Sequence, residues 1–435
     1  MKTKKHIHFI LNKLIINLVI VLIGMVIGIA LLVSVFCIPT YPMKVHVQQS
    51  LESIKSEFTS SVAIDGYDGS FIGNFTDSLM IESAIYTKEN TDKLSSSLYV
   101  YRGESSEGDG WAPGISLVDY IDGKELAQEL SYARYWHGYL IFLKPALYFT
   151  NISTLRMIAA VVQIMLVGFI VYLMGKRREN ELGLGFMASI TFLYFFSLYA
   201  SLSLSICFYI MTVSLIFLLL YHEKMNDKGF YSIFFLLIGM TTSYFDLLTY
   251  PIITLGFPLS VCIYLNKDTV YTQFKKIIGY SLQWSFGYTV FWLSKWIITD
   301  LLVQGNIIED AILTITQRTS AAENMNVITG FLTTVKSNLK IYTNWAFIFV
   351  IISIFLFILI FSFKNRNLIL NLHKHNIILG FEIFLIGCYP FVWIFFTQNH
   401  SEIHWLFTCK IFSLTIFSFV CGTLKITQKQ NIIRQ

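Results

Sequence analysis

Charge is scarce in this sequence. Lys, Arg, Asp and Glu supply 14% of the 435 residues, while hydrophobic residues supply 55%; soluble domains carry about 25% charge. So little charge excludes a single soluble globular body. The net charge of +5 is small, and Lys and Arg fall in short groups between apolar runs. With no basic patch or stripe, nucleic acid is excluded as a partner. Cysteine is also rare. Cys37, Cys207, Cys262, Cys388, Cys409 and Cys421 all lie within or at the ends of apolar segments. Residues 43–150 hold none, so no disulfide framework supports that polar stretch. It is neither Gly/Ser-rich nor repetitive, which predicts an ordered loop instead of a linker. No internal repeat is evident either, and the repeated halves of many transporters are therefore missing.

What the chain does have is a succession of apolar runs of roughly 20 residues, each long enough to cross a membrane. The first follows Lys2, Lys4, Lys5 and Lys13 and runs uncharged from Leu14 to Pro42. That is too long for the core of a cleaved signal, so it reads as an uncleaved anchor. Further runs at 155–175, 182–201, 203–221, 229–247, 249–265, 277–303, 345–363, 376–397 and 403–423 bring the expectation to ten spans. The predicted fold class is an all-α membrane protein of about ten transmembrane helices with a large extracytoplasmic first loop. Its segments are 1–42 (N-terminus and first helix), 43–150 (acidic loop), 151–303 (bundle, first part), 304–343 (second loop) and 344–435 (last three helices and C-terminus). The segments assigned to the cytoplasm hold 18 of the 32 Lys and Arg residues, as the positive-inside rule requires. A multi-pass plasma-membrane protein with both termini cytoplasmic is expected.

Residues 40–137 carry 15 acidic and 7 basic residues. Within this loop, Val45–Phe58 and Gly123–Tyr139 read as amphipathic helices. Tyr139–Phe149 is apolar, contains Pro145, and is too short to span, so it reads as a helix at the membrane face. An apolar pattern with helical spacing follows Gly73–Met80, for which Thr76 or Asp77 would be the N-cap. The alternative role for Asp77 is a carboxylate at a helix start that acts as general base or helps bind a divalent cation. The aromatic run Tyr132–Tyr139, with Arg134, Trp136 and His137, suits an interfacial belt and equally suits sugar stacking and phosphate binding.

Ionisable residues inside spans are costly and point to cavities or internal partners. Asp246, Lys295, Glu382 and Lys410 are the candidates. Lys410, deep in the last span behind His400 and His404, needs a partner; a neighbouring acid and a lipid phosphate both qualify. Asp246, Lys295, Asp300, the 399–404 hairpin and Lys410 share one half of the membrane with both loops. A site at the outer face is expected.

The stretches Asn74–Met80, Arg134–Pro145, Tyr244–Pro251 and Asn399–Lys410, together with the loop-then-spans order, resemble the GT-C class of polytopic glycosyltransferases. The resemblance implies transfer of a sugar from a polyprenyl-phosphate donor to a cell-envelope glycan or lipid acceptor. A divalent cation (Mg or Mn) is the one cofactor it admits, and membrane lipid is a further partner. By position Asp77 matches the class's loop carboxylate, though it falls some 35 residues after the first span; Glu52 and Glu57 are rivals. Arg134, Trp136, His137, Asp246, Arg318, His400, His404 and Lys410 would bind substrate. The competing readings are a flippase or transporter of a lipid-linked saccharide, and a non-catalytic scaffold of an envelope-synthesis complex.

Overall fold

The computed structural model describes residues 2–56, 62–106, 113–303, 306–320, 325–364 and 374–427. It is overwhelmingly helical, and five helices are long and apolar enough to cross a membrane. The first is α1 (Lys2–Phe36), which passes from Leu11. It sits at the rim of the bundle: only 17% of its most apolar window is buried, and Leu22, Ile23, Val26 and Ile27 are exposed. Apolar side chains facing outward along a whole helix need lipid, not water, around them. The chain is a membrane-embedded helical protein.

Between the first and second of these helices lies a small folded unit. It contains α2 (Tyr41–Gln49), α3 (Leu51–Ser56), α4 (Asn74–Ile85), α5 (Lys93–Tyr99) and α6 (Pro113–Ile121). Two strands, β1 (Tyr101–Glu104) and β2 (Gln128–Ser131), pair antiparallel with Tyr101 opposite Ser131. The amphipathic helix expected over Gly123–Tyr139 is therefore absent. Its local pattern is overridden by pairing with a strand more than twenty residues upstream, which no local periodicity reports. The expected helix over Val45–Phe58 is split at Ser50 into α2 and α3. Glu57, one of the rival carboxylates, lies outside the described residues, and Glu52 is an exposed surface residue bridged to Lys55. As expected, a short helix, α7 (Leu140–Phe149), follows.

The bundle continues through α8 (Ile152–Lys176), α9 (Asn180–Thr191), α10 (Phe195–Leu198) and α11 (Leu202–Asp227), then α12 (Tyr231–Phe245), α13 (Ile252–Leu265) and α14 (Val270–Val303). Ile252–Tyr264 of α13 is buried throughout, so α13 is the axis of the bundle. At 14 residues it is about 21 Å long, short of a hydrocarbon core about 30 Å thick. Next come α15 (Ile307–Thr319), α16 (Val327–Lys340) and α17 (Trp345–Lys364). α16 and α17 meet at 94°, so α16 lies across the axis that α17 follows. The last elements are α18 (Lys374–Ile386), α19 (Tyr389–Phe396), α20 (Gln398–Ile403), α21 (Trp405–Thr408) and α22 (Phe412–Thr427). Helices α8, α11, the α18–α19 segment and the α21–α22 segment pass the length and hydropathy test with α1; counting the bent α16–α17 pair makes six.

Two glycine pairs set the helix crossings. A Cβ built on Gly239 of α12 would lie 2.1 Å from the carbonyl oxygen of Trp284, and one on Gly287 of α14 would lie 2.2 Å from that of Leu236. Gly380 of α18 and Gly422 of α22 face each other's carbonyls in the same reciprocal way, at 2.7 and 2.8 Å. In lipid, where burial of apolar surface gives little drive between helices, such close backbone approach supplies the packing.

Candidate functional site

A helix that ends in a low-dielectric interior leaves N–H or C=O groups without partners. Here, buried charged side chains from other elements supply them. The Asp77 carboxylate, on the first turn of α4, reaches the start of α11. It accepts from the backbone N–H of Leu202 (2.8 Å) and Ser203 (2.9 Å) and from the hydroxyls of Ser203 (2.7 Å) and Ser201 (3.2 Å). The N-cap of its own helix is Gly73, so neither Thr76 nor Asp77 caps α4. Burial pushes the Asp77 carboxyl above its ordinary value; the Ser203 bonds and the nearby Arg156 charge oppose that shift.

The complementary groups are lysines. Lys144 donates to the carbonyl of Ala84 near the end of α4 (2.6 Å), and Lys295 to that of Leu98 near the end of α5 (2.6 Å). Lys425 donates to Tyr264 and Asn266 at the end of α13 (2.9 and 2.6 Å). Lys410 donates to Gly69 (2.7 Å), inside the 3-10 turn Asp68–Ser70. All four are buried. Cations at helix C-termini and anions at N-termini oppose the exposed ends of the backbone dipoles. Lys410, for which the sequence suggests a neighbouring acid or a lipid phosphate as partner, is engaged with a backbone carbonyl of the loop unit instead.

The re-entry segment 132–139 also turns inward. Trp136 is fully buried, donates to the carbonyl of Phe291 (2.7 Å) and stacks on that ring at 5.0 Å. His137 has a φ of 57° and is buried. Its Nε2–H donates to the carbonyl of Tyr132 (2.6 Å) while Nδ1 faces the Tyr139 hydroxyl (3.0 Å). Burial holds its pKa down to about 3, so the ring is neutral. Neither is placed to stack on a sugar.

The remaining candidates do gather, at the loop-bearing end of the bundle. The Arg318 guanidinium of α15 donates to His400 Nδ1 (3.1 Å) and His404 Nε2 (2.5 Å). His400 Nε2–H donates to the carbonyl of Leu248 (2.9 Å), which fixes its tautomer; burial and the two neighbours hold that imidazole well below its usual value. Leu248 has a φ of 63°, a strained position for a branched side chain. It follows Asp246, whose carboxylate accepts from the N–H and hydroxyl of Thr249 (2.9 and 2.5 Å). Tyr135, stacked on Trp292 at 5.5 Å, senses both the Arg318 and Asp246 charges. Arg134 bridges Asp310 of α15 at 2.8 Å. That partly exposed pair is worth at most about 1 kcal/mol. The stronger anchor is the Arg134 carbonyl, which accepts from both Trp292 (2.7 Å) and Trp296 (2.9 Å). Helix α15 thus straps the cluster, tied at one end to Asp300 through the Ile307 N–H (2.8 Å) and at the other to Asn399 through the Gln317 carbonyl (2.7 Å).

Among the described residues no three His, Cys, Asp or Glu side chains group to hold a metal ion.

One titratable residue carries no sequence signal. Glu82 on α4 is fully buried; Oε1 accepts from the Gly103 N–H (2.6 Å), and among the described residues Oε2 has no partner. Burial pushes it up to about 7. Between its unfolded value near 4.5 and 7, the folded chain holds a proton that the unfolded chain has lost. Stability therefore falls as pH rises through that window, by on the order of 3 kcal/mol in total. Thermal melts from pH 5 to 7.5 should show the decline, and Glu82→Gln should remove it. An equal slope in both proteins would refute the assignment.

Fold and site together define a polytopic helical membrane protein with a folded loop unit over one end of its bundle. No protein-family model, curated protein or solved structure matches the chain.

Proposed function

We propose that this protein is a glycosyltransferase of the GT-C kind. It moves a sugar from a polyprenyl-phosphate donor to a cell-envelope glycan or lipid acceptor at the outer face of the plasma membrane. In this reading the loop-bearing end faces outward, both termini are cytoplasmic, and the ten apolar segments are its spans. The observation that carries it is the convergence of Arg134, Tyr135, Asp246, Arg318 and His400, from segments far apart in sequence, on that one end.

Asp77 accepts four hydrogen bonds from the start of α11. Asp246 accepts from Thr249 within its own turn, so Asp246 is the less heavily engaged carboxylate and the better one for the chemistry. The acceptor oxygen would attack the anomeric carbon as its proton passes to Asp246, and the bond from that carbon to the phosphate oxygen would break. Arg318 uses only one guanidinium nitrogen on its two imidazoles, which leaves others for the departing phosphate. Arg134 Nε is likewise buried without a partner among the described residues.

The test uses the full chain in proteoliposomes with a short polyprenyl-phosphate glucose and a lipid acceptor. Released polyprenyl phosphate is measured. Asp246→Asn should slow release by about 10²-fold or more at an unchanged folded amount. A full rate in that variant removes Asp246 from the mechanism. The rival is a translocator reading. Movement of donor across the bilayer without bond cleavage would decide for it.

A further inference from the structure

A second polar feature lies away from the Asp246 cluster. Where α1 ends, the chain encloses a cavity of about 320 Å³, at the small end of the range for ligand pockets. One wall is the end of the first span, Phe36 to Thr40. The others come from the segment after α4, from α5 and from α7. Three lysines line it, Lys88, Lys93 and Lys144, and no acidic residue does.

Two of these lysines, Lys93 and Lys144, are poorly neutralised. Lys144 is 1% exposed, and its ammonium group has one acceptor among the described residues, the Ala84 carbonyl, beneath the Phe36 ring at 4.6 Å. An ammonium has three donors, so two remain. Burial and the nearby Lys93 charge hold its pKa down to about 7, as expected of a cation short of counter-charge. Lys93 is exposed and forms no ion pair among the described residues. Lys88 bridges Glu129 at 2.5 Å from outside the lining and lies 4.2 Å over the Tyr101 ring. Thr40 and Thr87, in hydroxyl contact at 3.1 Å, keep one hydroxyl hydrogen between them for a ligand. Three cations and a free hydroxyl hydrogen around a small concavity suit a tetrahedral anion. The position, at the end of an apolar helix, is where lipid headgroups lie.

We propose that this cavity binds the phosphate of an anionic membrane lipid headgroup. The site is independent of the transferase reading and would persist if that reading failed. A bound phosphodiester would accept from Lys88, Lys93 and the two remaining Lys144 protons, and would tie the loop unit to the first span through the bilayer itself.

The full chain purified in mild detergent tests this by thermal melting. Phosphatidylglycerol should raise the melting temperature, and phosphatidylcholine at equal concentration should not. Lys88→Gln combined with Lys93→Gln removes two surface charges and should weaken the phosphatidylglycerol response by about tenfold or more. Glu129→Gln, which releases Lys88, should strengthen it. Equal responses to the two lipids, or an undiminished response in the double variant, would overturn the proposal. Inorganic phosphate is the second arm. A saturable shift with phosphate that the double variant loses, without any phosphatidylglycerol effect, keeps a phosphate site but assigns it to free anion and rejects the lipid. No shift in either arm rejects the site.

Discussion

Gly287→Leu should leave this protein unable to assemble its bundle. A Cβ at that position would stand 2.2 Å from the carbonyl oxygen of Leu236, and one built on Gly239 of the facing helix would stand 2.1 Å from that of Trp284. Both obstacles are backbone, so no side chain can rotate away. Helices α12 and α14 would have to separate by more than an ångström along their contact. The pairs around the crossing, such as Tyr244 on Phe291 and Phe235 on Tyr280, would part with them. Overpacking of a core costs about 1–3 kcal/mol where side chains can yield, and here they cannot, so the loss should exceed that range. The same helix supplies the control: a Cβ on Gly279 meets nothing within 4 Å. Gly279→Leu should therefore melt like the parent protein, apart from helix propensity, which favours leucine over glycine. Size-exclusion profiles and thermal melts of the two variants in detergent check the contrast. Equivalent behaviour would mean that α12 and α14 do not cross through Gly287.

Much of the fold was legible because membrane insertion writes it in local terms. Apolar runs give the helices, and the shortness of α7 follows from the length of its apolar run and Pro145 alone. The errors came where a residue's partner lies far along the chain. Gln128–Ser131 reads locally as part of a helix but pairs with Tyr101–Glu104. Trp136 reads as an interfacial aromatic but packs under Phe291. Lys295 and Lys410 stand out in the sequence as ionisable residues inside apolar runs, and for Lys410 an acid or a lipid phosphate reads as the partner. Their partners are backbone carbonyls, Leu98 and Gly69, and a carbonyl has no sequence signature. The same holds for the reciprocal glycines: Gly239 and Gly287 are visible in apolar runs, but which glycine meets which helix is a three-dimensional fact. Of the candidate site, Arg318, His400 and Asp246 were marked one by one. Their meeting depends on the strap α15 and on the positive φ of Leu248, neither of which periodicity reveals.

Asp77→Ala should cost about 2–4 kcal/mol of stability, and the loss should be structural in origin. The carboxylate satisfies the N–H groups of Leu202 and Ser203 at the buried start of α11. Removing it strands those donors where water does not compensate, at about 1–3 kcal/mol for each group left unpaired, offset in part by relaxation and water entry. An N-cap deletion alone typically costs about 1 kcal/mol; the burial of this one raises the figure. Asp77→Asn keeps one acceptor but turns an amide N–H₂ toward donors, so it should lose a large part of the same stability. Ser203→Ala removes one of the four bonds (2.7 Å) without touching the carboxylate, and should cost about 1 kcal/mol. These three variants separate a cap from a base. If Asp77 is a cap, melting temperature falls in the order Ser203→Ala, Asp77→Asn, Asp77→Ala, and sugar transfer per folded molecule stays near the parent value. If Asp77 is the base, Asp77→Asn melts like the parent while transfer per folded molecule drops by about 10²-fold or more. The bond network at α11 predicts the first pattern, which under the proposed transferase reading leaves Asp246 as the carboxylate for the chemistry.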